Sequence, residues 1–433
     1  MLLGSFALKA QTKFSLSEAV KYGLENHQSL KNAEIDVLSA DVRIKEIKSA
    51  GLPQVNANLQ LLGNPILQKV FLPARFLDPT APDDAPSIAA PFGVNFSNNL
   101  SASVNQLVFD GTYLLGLKAA DLYRELAQKN ATASKITVKE NIMKAYYSAL
   151  VAEERIKILE LNINRLDSLF ADTKILNEKG FVEKIDADRL EVQVNNLKTE
   201  RQKIKNLIEL SYALLKFQMG MNINEAIALT DRINENDLAF IEQKTVQDFN
   251  YSSRIEVSTL ESSKKLAAMD IENNKRGYWP KVFAFGNLGF NQGSNTFNPF
   301  QKWFSFSTVG LQVAAPIWDS NLKKNKIQQA VLTVQKLENT IKLVESSIDL
   351  QIKQANIILT NNAESLKIQK RNLEIAKEVV RVSKEKYKAG VGSNIEVINA
   401  ESSLKESQTN YFAALYDAML AKVDLDKALG KLN

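Results

Sequence analysis

Cysteine is absent from this 433-residue chain, and histidine occurs once, as His27. Disulfides, cysteine nucleophiles and Cys/His zinc sites are thereby excluded. An all-carboxylate metal site stays open, but no cluster signals one, so neither a metal nor a cofactor is expected. No run of about 18 or more apolar residues occurs, which argues against a transmembrane helix. Charge of one sign is also missing as a block. The 54 basic and 49 acidic residues are interspersed and leave a net charge of +5, which gives no sign of a nucleic-acid partner. No constellation of nucleophile, base and orienting group is present, so catalysis is not expected. His27 stands alone near the start and is read as structural.

Proline is missing from two long stretches. All ten prolines fall at 53–91 or 280–316, with none at 92–279 and none after 316. Proline breaks helix interiors and central strands alike, so the proline-free stretches read as long helices. They also carry a heptad pattern. Val138, Ile142, Ala145, Ala149, Ala152, Ile156, Leu159, Ile163, Leu166 and Phe170 recur at alternating steps of four and three. A second series runs less cleanly from Val331 and Val334 through Ile341, Ile348, Ile352, Ala355, Leu359, Leu366, Leu373 and Ala376 to Val380. Such a repeat means helices packed side by side along their length. A continuous helix over 112–177 is about 100 Å long at 1.5 Å per residue. It cannot bury its seam without antiparallel neighbours or other subunits.

The proline-containing windows show a period of two instead. From Phe96 to Asn105 one face carries Phe96, Leu100, Ala102 and Val104, and the other Ser97, Asn99, Ser101, Ser103 and Asn105. Residues 55–61 alternate in the same way. Period two with an uncharged polar face predicts strands with one face toward water and the other toward lipid. Predicted strands lie at about 53–63, 95–109, 280–290 and 303–316. Trp279, Trp303 and Trp318 fall at or near strand ends, where interface anchors sit in membrane barrels. A half-buried soluble sheet is the alternative for any one pair.

The two halves match in order. Leu52-Pro53-Gln54-Val55 corresponds to Trp279-Pro280-Lys281-Val282, and Val108-Phe109-Asp110 to Ile317-Trp318-Asp319. Gly180 corresponds to Gly390, and Met219-Gly220 to Leu429-Gly430. Internal symmetry of this kind is an architectural signal. Each half reads helix, strand, loop, strand, long helix, glycine turn, helix. The first strand–strand loop, the proline-rich stretch around 64–94, is the longer. This divides the chain into a signal-like start (1–10), a first repeat (11–218), a linker (219–250) and a second repeat (251–433). Hairpin tips fall at about 178–184 and 388–394. The start has a short apolar stretch ending in a small residue, Ala10, like the tail of a secretory signal; an apolar tail is the alternative. Four strands cannot close into a barrel, and open edges are not tolerated in lipid. Three chains supply twelve strands, an even number within the range of outer-membrane barrels.

With Phe14-Ser15-Leu16-Ser17-Glu18-Ala19-Val20, Asn26-His27, Leu107-Val108-Phe109-Asp110-Gly111, Pro316-Ile317-Trp318-Asp319 and Tyr387-Lys388-Ala389-Gly390 in this order, the chain resembles the TolC-like outer-membrane efflux protein family along nearly its whole length. The resemblance implies a mainly α fold with a transmembrane β-barrel portion. A homotrimer would form a 12-stranded barrel in outer-membrane lipid, with a periplasmic α-helical barrel and a mixed equatorial region. It implies passive exit for substrates driven by an inner-membrane pump of RND or ABC type through a periplasmic adaptor protein, in efflux or type I secretion. It also implies a gate at the tips, with Tyr387 as the tip tyrosine, Asp186 as an acidic partner and Glu396 as an acidic lumen residue. Asn399 stands where the family can carry a second aspartate, and Gly392 where a tip arginine can tie neighbouring helices. An Arg–Asp gate link is therefore in doubt. Solvated helix-end carboxylates are the alternative for Glu396 and Asp186. Gly180, Phe181, Val182, Gly390, Val391 and Gly392 form the tips, whose exposed apolar residues suit adaptor docking or packing between hairpins. A soluble coiled-coil interaction protein is the competing class. It accounts for the heptads but not for the uncharged alternating strands.

Overall fold

A computed structural model describes residues 12–76, 78–233, 249–298 and 300–432. The signal-like start at 1–10 lies outside the described residues, as do 234–248 of the predicted linker. In chain order the elements are β1 (Thr12–Phe14), α1 (Leu16–Asn26), α2 (Gln28–Ser49), β2 (Gln54–Gly63), β3 (Lys69–Leu72), β4 (Ile88–Pro91), β5 (Phe96–Phe109), α3 (Gly111–Glu178), α4 (Lys184–Gln218), β6 (Ile227–Leu229), α5 (Ile255–Arg276), β7 (Lys281–Ser294), β8 (Phe304–Ala314), α6 (Leu322–Lys388) and α7 (Asn394–Ala428). The chain forms two compact units. One comprises residues 12–38, 125–263 and 337–432; the other comprises 39–124 and 264–336.

The first unit is helical, and its heptad residues make its core. Leu159, Ile163 and Leu166 of α3 pack with Leu190, Val194 and Leu197 of α4 and with Val397 and Ile398 of α7. Leu373, Ala376 and Val380 of α6 pack with Ala400 and Leu404 of α7. The less regular second series is nonetheless buried from Ile341 to Val380. A third cluster gathers Phe14, Ala19, Leu30, Ile142, Tyr146 and Leu215 around β1 and β6, which pair in parallel. Tyr146 donates its hydroxyl to the Phe14 carbonyl at 3.1 Å and closes that layer. His27 caps the break between α1 and α2. Its φ of −65° is one that proline also adopts, yet its N–H donates to the Gly23 carbonyl at 2.9 Å, a bond that proline cannot make.

Charge also ties this unit together. The Glu140 carboxylate on α3 is buried, and it accepts from Lys144 at 2.8 Å and Lys427 at 2.7 Å. Burial pushes its pKa up, but the two ammonium groups outweigh that and hold it below the ordinary 4.5. A depressed carboxylate contributes stability above its unfolded pKa and loses it as pH falls through the folded value. Acidification below about pH 4.5 therefore lowers the thermal unfolding midpoint. In Glu140→Gln this acid limb is expected to flatten in circular-dichroism melts; an unchanged limb would assign it to other carboxylates.

The second unit is built on a four-stranded antiparallel sheet in the order β2-β5-β7-β8, leaving β2 and β8 as edges unpaired among the described residues. All connections to helices leave one end of the sheet, and both strand–strand loops leave the other. The register keeps the face split of β2 and β5: Val55↔Val104, Ala57↔Ala102 and Leu59↔Leu100 alternate with Asn56↔Ser103, Asn58↔Ser101 and Gln60↔Asn99. On β7 and β8 the split blurs. Phe285 and Phe306 share the Ser/Asn face, while Ser305 and Ser307 lie on the apolar face. The rings have a packing reason for being there. Phe306 is the partner of Gly289 and Phe285 of Gly310, and a Cβ on either glycine would come within 2.7–2.8 Å of the facing ring. Each ring occupies the place of a missing side chain on the neighbouring strand. Gly289→Ala and Gly310→Ala are each expected to destabilise the sheet by about 1–3 kcal/mol, the range for overpacking, read as a lower urea midpoint for folding into vesicles.

The proline-rich 64–94 stretch, read from sequence as loop, contains a small antiparallel hairpin, β3 with β4. Pro91 ends β4 opposite Lys69 and Pro73 follows β3, positions at strand ends where a missing N–H is tolerated.

Candidate functional site at the helical tips

Two short turns join the long helices, and they share one geometry. Gly180 (φ 78°) and Gly390 (φ 73°) both occupy the left-handed region. The next residue folds back in each case: Phe181 N–H donates to Leu176 O at 2.9 Å and Val391 N–H to Lys386 O at 3.0 Å. This is the glycine-terminated helix end in which orphan carbonyls are satisfied by the turn itself. Phe181 and Val391 are left 74% and 77% exposed. Ser393 then caps α7 by accepting from Glu396 N–H at 3.4 Å.

The two turns border a cleft of about 860 Å³ lined by Leu176, Phe181, Val182, Asp186, Tyr387, Gly390, Gly392 and Asn394 among others. Of the sequence-predicted residues, the cleft thus gathers Asp186, Tyr387, Phe181, Val182, Gly390 and Gly392. Glu396, Asn399 and Val391 are exposed and do not line it. Gly180 stands at the turn itself. Gly392 has a steric reason to be glycine: a Cβ there would lie 2.9 Å from the Lys386 side chain and 3.0 Å from Tyr387 N. No arginine fits at this position without moving α6.

Asn394, which the sequence did not single out, makes the link across the cleft. Its Nδ2 donates to the Asp186 carbonyl at 2.8 Å and lies 3.3 Å from the Asp186 carboxylate. Asn394 is buried, and its Oδ1 and the Tyr387 hydroxyl have no hydrogen-bond partner among the described residues. Deeper in the bundle, Glu401 of α7 is buried among cations. Arg165 of α3 grips it in a two-pronged pair, at 2.8 and 2.7 Å, and Lys384 of α6 lies at 3.3 Å. Arg165 also donates to Asn162, which bonds Gln408. Burial, with Arg165 adding repulsion, holds Lys384 below the usual lysine range against the pull of Glu401. This network escaped the periodicity because its partners are 236 residues apart.

The tryptophans divide between the two ends of the sheet. Trp279 stacks on Phe109 at 6.3 Å under the Arg276 guanidinium, and Trp318 is exposed; both stand at the helix end. Trp303 precedes β8 at the loop end. Among the described residues, no helix is long and apolar enough to cross a membrane, and no group of three acidic or histidine side chains is placed to hold a metal ion.

Residues 258–431 match the family model described as outer membrane efflux protein. Over 428 residues the chain is 20% identical to outer membrane protein TolC of Vibrio cholerae, spanning 97% of this chain and 91% of that protein. Over this segment the chain is similar to the outer membrane efflux proteins. Alkaline protease secretion protein AprF of Pseudomonas aeruginosa is 18% identical over 67% of this chain, which spans only 61% of AprF. Among solved structures, CusC superposes with a TM-score of 0.75 at 13% identity, over 96% of this chain and 92% of that one. A membrane protein from Pseudomonas aeruginosa superposes with a TM-score of 0.74 at 16% identity, over 96% and 92%. The fold is therefore that of these two solved membrane proteins.

Proposed function

We propose that three copies of this chain form one duct through which substrates leave the cell passively, with the sheets closing a barrel in the outer membrane and the helices reaching into the periplasm. The carrying observation is the four-stranded sheet with two unpaired edges and no charge on the alternating faces of β2 and β5. In lipid such edges must be paired, and β8 of one copy is the natural partner of β2 of the next. The chain divides into two repeats joined by the 219–250 segment. Trp279 and Trp318 anchor one membrane interface and Trp303 the other. The exposed Phe181 and Val391 offer apolar docking points for a periplasmic adaptor, which couples the duct to an inner-membrane pump; the kinship with TolC and AprF supports such partners. The Asn394–Asp186 contact holds the tips together, and Glu396 and Asn399 face the water path. The soluble coiled-coil reading leaves the sheet unexplained.

Purified protein in planar bilayers should give discrete conductance steps; a monomer that never conducts would overturn the channel reading. Three Glu396 carboxylates around a narrow axis favour cations. Glu396→Gln is expected to reduce cation over anion permeability, read as a smaller reversal potential in a salt gradient. Unchanged selectivity would place Glu396 away from the constriction.

A further inference from the structure

The loop end of the sheet carries an apolar surface that the single chain leaves uncovered. In the β2–β5 loop Ile66, Phe71 and Phe92 are 89%, 73% and 76% exposed, and in the β7–β8 loop Phe300 is 94% exposed. Isolated apolar residues on a surface are ordinary, but four large ones on two neighbouring loops mark a contact surface. Topology identifies the occupant. The long loop leaves β2 and the short loop enters β8, and these are the two unpaired edges. Wherever β8 of one copy pairs with β2 of the next, the short loop of the first copy and the long loop of the second emerge side by side. Their charges are complementary as well. Residues 64–95 hold Lys69 and Arg75 against Asp78, Asp83 and Asp84, a net of 2 − 3 = −1, while 295–303 hold only Lys302, +1.

We propose that the β2–β5 loop of each copy packs its apolar side chains against the β7–β8 loop of the next copy and narrows the outer mouth of the channel. The inference rests on the trimeric-duct reading. Dimensions allow the narrowing. Twelve strands about 4.8 Å apart, tilted near 40°, enclose a ring roughly 24 Å across. The strands of the β3–β4 hairpin, four residues each, span about 13 Å at 3.3 Å per residue, close to the radius of that ring. The loop is also bound at its base: Asn64 N–H donates to Asn95 O at 2.7 Å and Asn64 Nδ2 to Val94 O at 3.0 Å, so the hairpin starts from a fixed neck.

The chain has no cysteine, so paired reporters can be introduced without background. Phe92→Cys/Phe300→Cys treated with a short bismaleimide in lipid-free detergent should give covalent dimers and trimers on denaturing gels, and neither single variant should. Ile66→Ser/Phe71→Ser/Phe92→Ser, with its trimer retained on native gels, should raise single-channel conductance at least twofold. Absence of cross-links, or unchanged conductance in the serine variant, overturns the proposal. Exposed aromatics that instead enter the outer leaflet, or bind another protein, would give those negative outcomes. Failure of the wild type to trimerise and conduct would sink the duct reading instead, so the two failures are distinguishable.

Discussion

Glu401→Ala is expected to cost about 3 kcal/mol of unfolding free energy, the lower part of the range for breaking a buried ion pair. The side chain is 4% exposed and neutralises Arg165 and Lys384 together. Its removal leaves two cations facing each other among α3, α6 and α7, with little water to solvate Lys384. Arg165, one-third exposed, can turn toward solvent and recover part of the loss, which keeps the estimate at the lower end. Lys384 is 18% exposed and already below its usual pKa, so in the variant it gives up its proton more readily. A lysine whose folded pKa lies below the unfolded one binds fewer protons folded than unfolded, and stability rises with pH. The deficit of Glu401→Ala should therefore shrink between pH 7 and pH 10, visible in urea unfolding at both values. Replacing Arg165, Lys384 and Glu401 together by methionine should recover most of the lost stability, because the cost lies in the unpaired charges. A Glu401→Ala protein as stable as wild type would show that water reaches this cluster.

Much of the architecture was legible because duplication and periodicity repeat a signal many times. Ten heptad positions on α3 agree with one another, and Pro53, Pro65, Pro280 and Pro316 flank β2, β7 and β8. The tips were legible from Gly180 and Gly390, since a left-handed helix end has few alternatives to glycine. The lateral contacts were not. Glu401 corresponds by duplication to Glu191, which is exposed on α4, so the buried role is not shared by the two copies. Asn394 corresponds to Lys184, and nothing in either residue announces a bond to Asp186. Gly392 read as the absence of an arginine, whereas the close approach of Lys386 and Tyr387 shows that no side chain fits there. The aromatic rings on the polar face of β8 were hidden for a related reason. Their partners are glycines on the next strand, and only the register reveals the pairing.

Asn394→Ala is expected to open the tips. The side chain ties the first turn of α7 to the first turn of α4, and the tie is made inside one chain, in a cleft that the tip tyrosine also lines. A net hydrogen-bond contribution of about 1 kcal/mol per copy is ordinary. Three copies opening together lose about 3 kcal/mol, which shifts the closed–open balance on the order of 10². In bilayer recordings this appears as a long-lived high-conductance state that is rare in wild type. Asn394→Asp separates a lost bond from a local collapse. It preserves shape but sets a second carboxylate beside that of Asp186, where the amide stood 3.3 Å away. Like charges at that distance raise the pKa of the pair. At pH 7 repulsion should open the tips at least as far as alanine does. In acid, one proton restores an O–H donor toward Asp186, and the channel should return to its closed conductance. Alanine, which holds no proton there, should stay open at both pH values. A channel whose conductance is the same in wild type, Asn394→Ala and Asn394→Asp would show that this contact is packing and that the gate lies elsewhere along the helices.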